Sequence, residues 1–462
     1  MKYLSTRGGV SDLSFCEAVS MGLASDGGLL VPEKIPYLGK SLRDLSGTSY
    51  SELAFEIFKL YIDDIPPSEL KEIIDQGYAN FSDSRVTPLV KVGDDYVLEL
   101  FHGPTLAFKD VALQFLGNVF EHILNQENTF LNVLGATSGD TGSAAIAGLR
   151  GKKNINVFIM FPEGKTSSVQ EKQMTTVMDS NIHNIEVNGT FDDCQSLLKE
   201  IFRDISFKRQ LNLGAVNSVN WARVLAQTVY YFSIYFQLGM PKSFQVSVPT
   251  GNFGNIFSAY IAKRMGLPIE RLILATNQND ILHRFFETGL YHRDKVYFTS
   301  SPAMDIQVAS NFERYLFYVY RSQIDKFSQF IHSFESKGSA KINLSDLPEN
   351  NDGFVTASVS DIETVRRIRL VHERTGYILD PHTAVGLDAG LRKGNQEIPL
   401  VCLATAHPAK FPSLLSEALP GVTVSHPSID LLEGLPTRKE TIQNDSAVLK
   451  NFIEATGGSL SL

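Results

Sequence analysis

Cysteine is scarce: the 462 residues hold three, Cys16, Cys194 and Cys402. They are far apart, odd in number and form no CxxC pair, which speaks against a disulfide framework and against a zinc site. An excess of positive charge is also missing. Lys and Arg total 42 against 51 Asp and Glu, a formal net charge of −9. A nucleic-acid binder would ordinarily be basic, so nucleic acid is not an expected partner. Local basic pockets for a small anion remain compatible with that balance. No stretch approaches 18 consecutive apolar residues, so no membrane-spanning helix is expected. The opening Met1-Lys2-Tyr3-Leu4-Ser5-Thr6-Arg7 lacks the apolar core of a secretory signal. Together these absences favour a cytoplasmic enzyme.

What is present has ordinary globular proportions, 43% apolar and 20% charged residues, over a length that exceeds one domain. Such a chain can bury several cores without staples. Residues 1–95 read as an N-terminal accessory segment, with short apolar runs punctuated by Gly and Pro. Residues 51–60 and 68–74 read as short helices, each opened by a Ser able to cap it. From residue 96 the texture alternates. Strands are expected at 96–101, 130–134 and 156–161, with helices at 110–124 and 141–150 between them. After a helical middle the alternation resumes, with strands at 243–249, 271–276 and 399–405 and helices at 256–265 and 362–375. Residues 337–353 are polar and contain Gly, Pro and Asn, and read as a surface loop. The pattern predicts an α/β protein with two parallel-sheet domains, 96–240 and 241–462, around a cleft, with ligands at the carboxyl ends of the strands.

Several strand-to-helix turns carry chemistry-bearing residues. In His102-Gly103-Pro104-Thr105-Leu106-Ala107-Phe108-Lys109-Asp110, Lys109 stands at a helix start. The helix dipole there disfavours a further positive charge and so favours the neutral, nucleophilic amine. On spacing alone, an ordinary exposed loop lysine is the commoner reading. The turn at 135–142 includes Ser138, Gly139, Asp140 and Thr141. A second small-residue turn holds Gly251, Asn252, Phe253, Gly254 and Asn255. Small residues admit a ligand close to the backbone, and free N–H groups at a helix start bind anions, although steric needs alone produce such turns in many α/β proteins. Asn217 and Ser218 precede Arg223, whose planar fork suits a phosphate, although on these residues alone a surface Arg at a helix N-terminus is the favoured reading. Thr405 ends the last apolar strand, and the nearby His407 is more readily structural than catalytic. Nucleotide signatures fail: Gly164-Lys165-Thr166 lacks the earlier P-loop glycine, since Ile159 stands in its place, and Gly139 and Gly142 lack GxGxxG spacing.

Taken together, these segments resemble the threonine synthases, fold-type II pyridoxal-phosphate enzymes related to the β-subunit of tryptophan synthase. The stretch 102–110 resembles the family's cofactor-lysine motif, 135–142 its substrate loop and 250–255 its cofactor-phosphate loop. The segments 3–8, 162–167, 380–383 and 404–411 are also similar to family segments, in the same order along the chain. The resemblance implies pyridoxal 5'-phosphate as cofactor and conversion of O-phospho-L-homoserine and water to L-threonine and phosphate. It implies that Lys109 carries the cofactor as a Schiff base and later shuttles protons. It implies further that Gly251, Asn252, Phe253, Gly254 and Asn255 hold the cofactor phosphate and that Thr405 bonds the pyridine nitrogen. Ser138, Gly139, Asp140 and Thr141, with Asn217, Ser218 and Arg223, are implied to bind the substrate. One departure stands out: many relatives carry Asn where this chain has Asp140, and an ionised Asp cannot donate a hydrogen bond as Asn does. A related phospholyase or a serine/threonine dehydratase would use the same lysine, and a non-catalytic binding protein on the same scaffold would not need it.

Overall fold

The structure, a computed structural model, describes residues 1–137, 139–215, 217–348 and 352–457. Two sheets organise it. The larger has six strands in the order Phe354–Ser358, Ile269–Thr276, Phe244–Pro249, Leu400–Ala404, Asp95–Glu99 and Leu89–Val92. All pair in parallel except the last two, which form an antiparallel hairpin. The smaller has five parallel strands in the order Glu440–Gln443, Ile182–Asn188, Ile155–Pro162, Leu131–Ala136 and Leu213–Ala215. This is the α/β architecture expected from the alternating pattern.

The sheets do not follow the chain divisions drawn at 95/96 and 240/241. Strand Asp95–Glu99 pairs with Leu400–Ala404, and strand Glu440–Gln443 pairs with Ile182–Asn188. The chain therefore passes between the sheets three times: from Glu99 to Leu131, from Ala215 to Phe244 and from Ala404 to Glu440. Parallel pairing depends on distant partners, so boundaries read from local texture miss it.

Local boundaries also moved. The helix Tyr50–Phe58 is capped by Ser49, which exchanges hydrogen bonds with Glu52 in a capping box, so Ser51 lies inside it. The helix Pro67–Tyr78 starts with proline in its first turn and has no side-chain cap, so Ser68 plays no capping part. Within 337–353, Ser339–Lys341 forms a short antiparallel pair with Leu290–His292 and so is not a bare loop, and residues 349–351 lie outside the described residues. Among the described residues, no helix is long and apolar enough to cross a membrane.

Two buried helices place the site. Lys109–Glu127 and Trp221–Gln237 carry apolar side chains on nearly every face, and most of their residues are buried. The first packs so closely on Asp140–Leu149 that a Cβ at Gly117 would sit 2.0 Å from the Gly148 carbonyl oxygen. A Cβ at Gly148 would sit 2.5 Å from the Leu113 carbonyl oxygen. The two glycines allow the backbones to touch, and the contact fixes how the first turns of the two helices face each other.

Candidate active site

Strands Asp95–Glu99 and Leu400–Ala404 run side by side, and the turns leaving their carboxyl ends zip together. The Phe108 amide donates to the Thr405 carbonyl at 2.8 Å, and the His407 amide donates to the Leu106 carbonyl at 3.0 Å. Thr405, itself buried, is thus set against the turn that presents Lys109. Leu106 adopts a left-handed φ of 59°, a strained conformation for a branched side chain of the kind that collects at functional turns. The turn is held from within by Asp110, whose carboxylate accepts from the Thr105 amide at 2.8 Å and its hydroxyl at 2.6 Å. Burial pushes Asp110 up to about 6, against the pull of those two hydrogen bonds. His407 accepts from the Ala409 amide at 3.2 Å and caps the short turn Pro408–Lys410. That is a structural role, and burial beside His426 pushes its imidazole down to about 4.

Lys109 is the first residue of its helix, with a side chain only 12% exposed. Its Nζ lies 3.8 Å from Oδ2 of Asp140, the first residue of the facing helix. Burial holds the Lys109 amine below the ordinary lysine value; Lys410 and Arg223 push the same way, while Asp140 opposes them. Desolvation and neighbouring cations therefore join the helix-dipole argument in favouring a neutral amine. Asp140 is buried, which works against its charge, yet Lys410, Lys109 and Gln170 hold it below the usual carboxylate range. Lys410 Nζ lies 2.8 Å from Asp140 Oδ1, and Gln170 Nε2 donates to the same oxygen at 2.9 Å. Gly139 fits beneath Gln170, where a Cβ would come within 2.7 Å of Nε2. Thr141 is half-buried in the first helical turn. Ser138 lies outside the described residues.

The second anion loop precedes the helix Gly254–Arg264. A Cβ on Gly251 would sit 2.7 Å from the Ala303 carbonyl oxygen, so only glycine fits. Phe253 has a left-handed φ of 64° and sends its ring into an aromatic cluster with Phe312, Tyr315 and Phe354. Only its backbone is left for a ligand. Asn255 is buried, with Oδ1 accepting from Tyr230 at 2.5 Å and Tyr231 at 2.6 Å, and with Nδ2 unpartnered.

The segment from Asn217 is tied to this loop. Ser218 Oγ is 2.8 Å from Ser310 Oγ, which donates to Asn252 Oδ1 at 3.1 Å. Asn311 Nδ2 donates to the carbonyls of Ser218 at 3.0 Å and Asn252 at 3.1 Å. Asn217 accepts from the amides of Val219 and Asn220, and its carbonyl accepts from Arg223 Nη1 at 2.6 Å. Arg223 is 4% exposed, so the surface reading of this residue fails. Among the described residues no carboxylate pairs with it, and its Nε has no partner. Burial pushes it down to about 10, within the range where it stays charged at neutral pH.

The fold thus gathers Lys109, Asp140 and Arg223 into one electrostatic group, ties Asn217 to Arg223, and links Ser218 through Ser310 to Asn252 of the Gly251–Asn255 loop. Four contributors lacked a sequence assignment. Lys410 sits inside the segment 404–411, but nothing local marks it as buried. Gln170, Ser310 and Asn311 carry no motif. Among the described residues, the unpartnered Asn255 Nδ2 and Arg223 Nε are donors that fit anionic oxygens of a bound cofactor and substrate.

A buried amine of depressed basicity at a helix start, in an α/β chain with two further glycine-containing turns that open helices, has the chemistry of an enzyme that carries pyridoxal phosphate on a lysine. A family model described as pyridoxal-phosphate dependent enzyme matches residues 84–402. Models for the threonine synthase N terminus and C-terminal regions match 2–78 and 383–453. The threonine synthase of Schizosaccharomyces pombe is 48% identical, over 91% of this chain and 89% of that protein. The pyridoxal-phosphate-bound threonine synthase structure from Brucella melitensis is similar with a TM-score of 0.96 and 41% identity, covering 99% of this chain and all of that one. The yeast threonine synthase structure gives 0.94 and 44%, covering 98% of each. This chain belongs to the threonine synthase family.

Proposed function

We propose that the protein converts O-phospho-L-homoserine and water to L-threonine and inorganic phosphate. The observation that carries the substrate assignment is Arg223: a buried guanidinium that, among the described residues, has no carboxylate partner and an unpartnered Nε, and that lies close enough to Lys109 to depress its basicity. A buried, unpaired cation is costly unless a ligand anion completes it. A dehydratase acting on serine or threonine has no substrate phosphate to do so. When bound, pyridoxal phosphate supplies an electron sink for carbanionic charge on the substrate.

The chain's own residues do the rest. Lys109 holds the cofactor and, once released, is the base that moves protons between substrate carbons; burial favours its neutral form. The Gly251–Asn255 loop holds the cofactor phosphate through backbone N–H groups and Asn255 Nδ2. Thr405 offers a neutral hydroxyl to the pyridine nitrogen, which leaves that nitrogen largely unprotonated. Gly139 and Thr141, with Ser138, receive the substrate carboxylate at the helix start. Asn217, Ser218 and Arg223 grip the substrate phosphate until it leaves as the inorganic anion.

Purified protein supplied with pyridoxal phosphate and O-phospho-L-homoserine should release phosphate and threonine in equal amounts. Release of phosphate with 2-oxobutanoate and ammonia, or no release at all, would overturn the assignment.

A further inference from the structure

Lys410 is the most deeply buried cation of the site, with a side chain 0% exposed. Its Nζ donates to the Thr105 carbonyl at 2.7 Å and pairs with Asp140 Oδ1 at 2.8 Å. The same oxygen receives Gln170 Nε2, and Gln170 is itself oriented by a 2.9 Å hydrogen bond from Ser167 to its Oε1. Two donors thus occupy Oδ1 and leave Oδ2 to face Lys109 at 3.8 Å. We propose that Lys410 is a positioning residue for the reaction: it pins one oxygen of Asp140, aims the other at Lys109, and so sets the charge environment of the amine that holds the cofactor. It also explains why this chain carries Asp at 140. An Asn there would take from the buried Lys410 ammonium its directly paired counter-charge and leave the more distant Asp110 to offset it.

The inference rests on the reading of Lys109 as the cofactor lysine, and its consequences have a definite sign. Lys109 faces Asp140 on the neighbouring helix, Lys410 on the turn after the last core strand, Arg223 on the helix Trp221–Gln237 and Asp110 on its own helix. Lys410 and Arg223 repel a charge on Lys109, and Asp140 attracts one. Removing the Lys410 charge takes away a repulsion and frees Asp140 to pair with Lys109, and both effects raise the basicity of Lys109. Removing Asp140 and Lys410 together takes one attraction and one repulsion, so their effects largely cancel.

The test reads Lys109 directly, without cofactor chemistry. The full-length, cofactor-free protein is labelled with trace acetic anhydride across a pH series, and mass spectrometry follows the peptide that contains Lys109. In Lys410→Met the half-labelling pH should rise by about one unit or more, in line with the loss of a like charge and the release of an opposite one. In Lys410→Met/Asp140→Asn it should return to within about half a unit of wild type. An unshifted Lys410→Met, or a double variant as shifted as the single, would overturn the proposal. Should Lys410→Met fail to fold by circular dichroism, Asp140→Asn is compared with the double variant. Adding Lys410→Met to Asp140→Asn should raise the midpoint, and an unmoved midpoint would equally overturn the role. Failure of phosphate release with intact titration would instead count against the proposed reaction alone.

Discussion

Arg223 carries its charge into a place where water is excluded and, among the described residues, no acid pairs with it, and this makes it the most informative single residue of the site. Replacing it with Lys keeps the charge and loses the planar fork. The charge-assisted hydrogen bonds at stake are worth roughly 1.5–3 kcal/mol each. Arg223→Lys should therefore lower kcat/KM for O-phospho-L-homoserine about 10- to 100-fold. Inorganic phosphate should inhibit the variant less, while the visible absorbance of the bound cofactor stays unchanged; an inhibition constant equal to that of wild type would remove Arg223 from the phosphate pocket. Lys109→Ala should abolish turnover while still binding pyridoxal phosphate through the Gly251–Asn255 loop, now without a covalent link. Borohydride reduction should fix cofactor to the wild-type chain and not to the variant, and fixation in both would transfer the role to another lysine. Lys109 and Arg223 could be singled out from sequence only through the resemblance of their segments, taken together, to a known family, since spacing alone favours an exposed lysine and a surface arginine. Lys410 could not: a lysine after His407-Pro408-Ala409 looks like any other until the fold brings Asp140 to its ammonium, and that pairing is set by tertiary structure alone.

At the scale of elements, the junction between helices Lys109–Glu127 and Asp140–Leu149 joins packing to chemistry. Their backbones meet at Gly117 and Gly148, and their first residues are the lysine and the aspartate that face each other at 3.8 Å. A methyl group at Gly117 has no room against the Gly148 carbonyl, so Gly117→Ala must push the helices apart. Overpacking of this kind costs about 1–3 kcal/mol, which urea denaturation would read as a lower midpoint. The same displacement should lower kcat, although residue 117 lies remote from the reacting atoms. Full stability in the variant would show that the helices can slide past each other freely. Element types were legible in the sequence because apolar runs of strand and helix length alternate with Gly-rich turns. Boundaries were less so. The cap of the helix Tyr50–Phe58 fell to Ser49 because Glu52 stands three residues on to complete the box, a pairing that a count of apolar residues does not weigh.

At the scale of the whole molecule, the last strand and last helix belong to a sheet built mostly from much earlier residues. Ile442, Leu449 and Ile453 bury themselves in the core beneath the smaller sheet, beside Ile185, Val187 and Leu197. Each is worth roughly 2 kcal/mol of burial, and together they rival the net stability of a typical domain, about 5–15 kcal/mol. A chain cut after residue 439 keeps every proposed site residue. It should nonetheless lose most of its activity and melt at a clearly lower temperature in a thermal scan. Retention of the wild-type melting temperature would show that the smaller sheet stands without its edge strand. This partnership was invisible in the sequence, where strand order leaves no local mark, and for the same reason the divisions at 95/96 and 240/241 cut across both sheets. It also shapes how the protein is born. On the ribosome, strand Ile182–Asn188 emerges long before the strand that covers its open edge, Glu440–Gln443. At translation speeds of about 5–20 residues per second, that edge waits on the order of 10 to 50 seconds for its partner. For that interval the nascent chain exposes an unpaired β edge, a template for pairing with other chains.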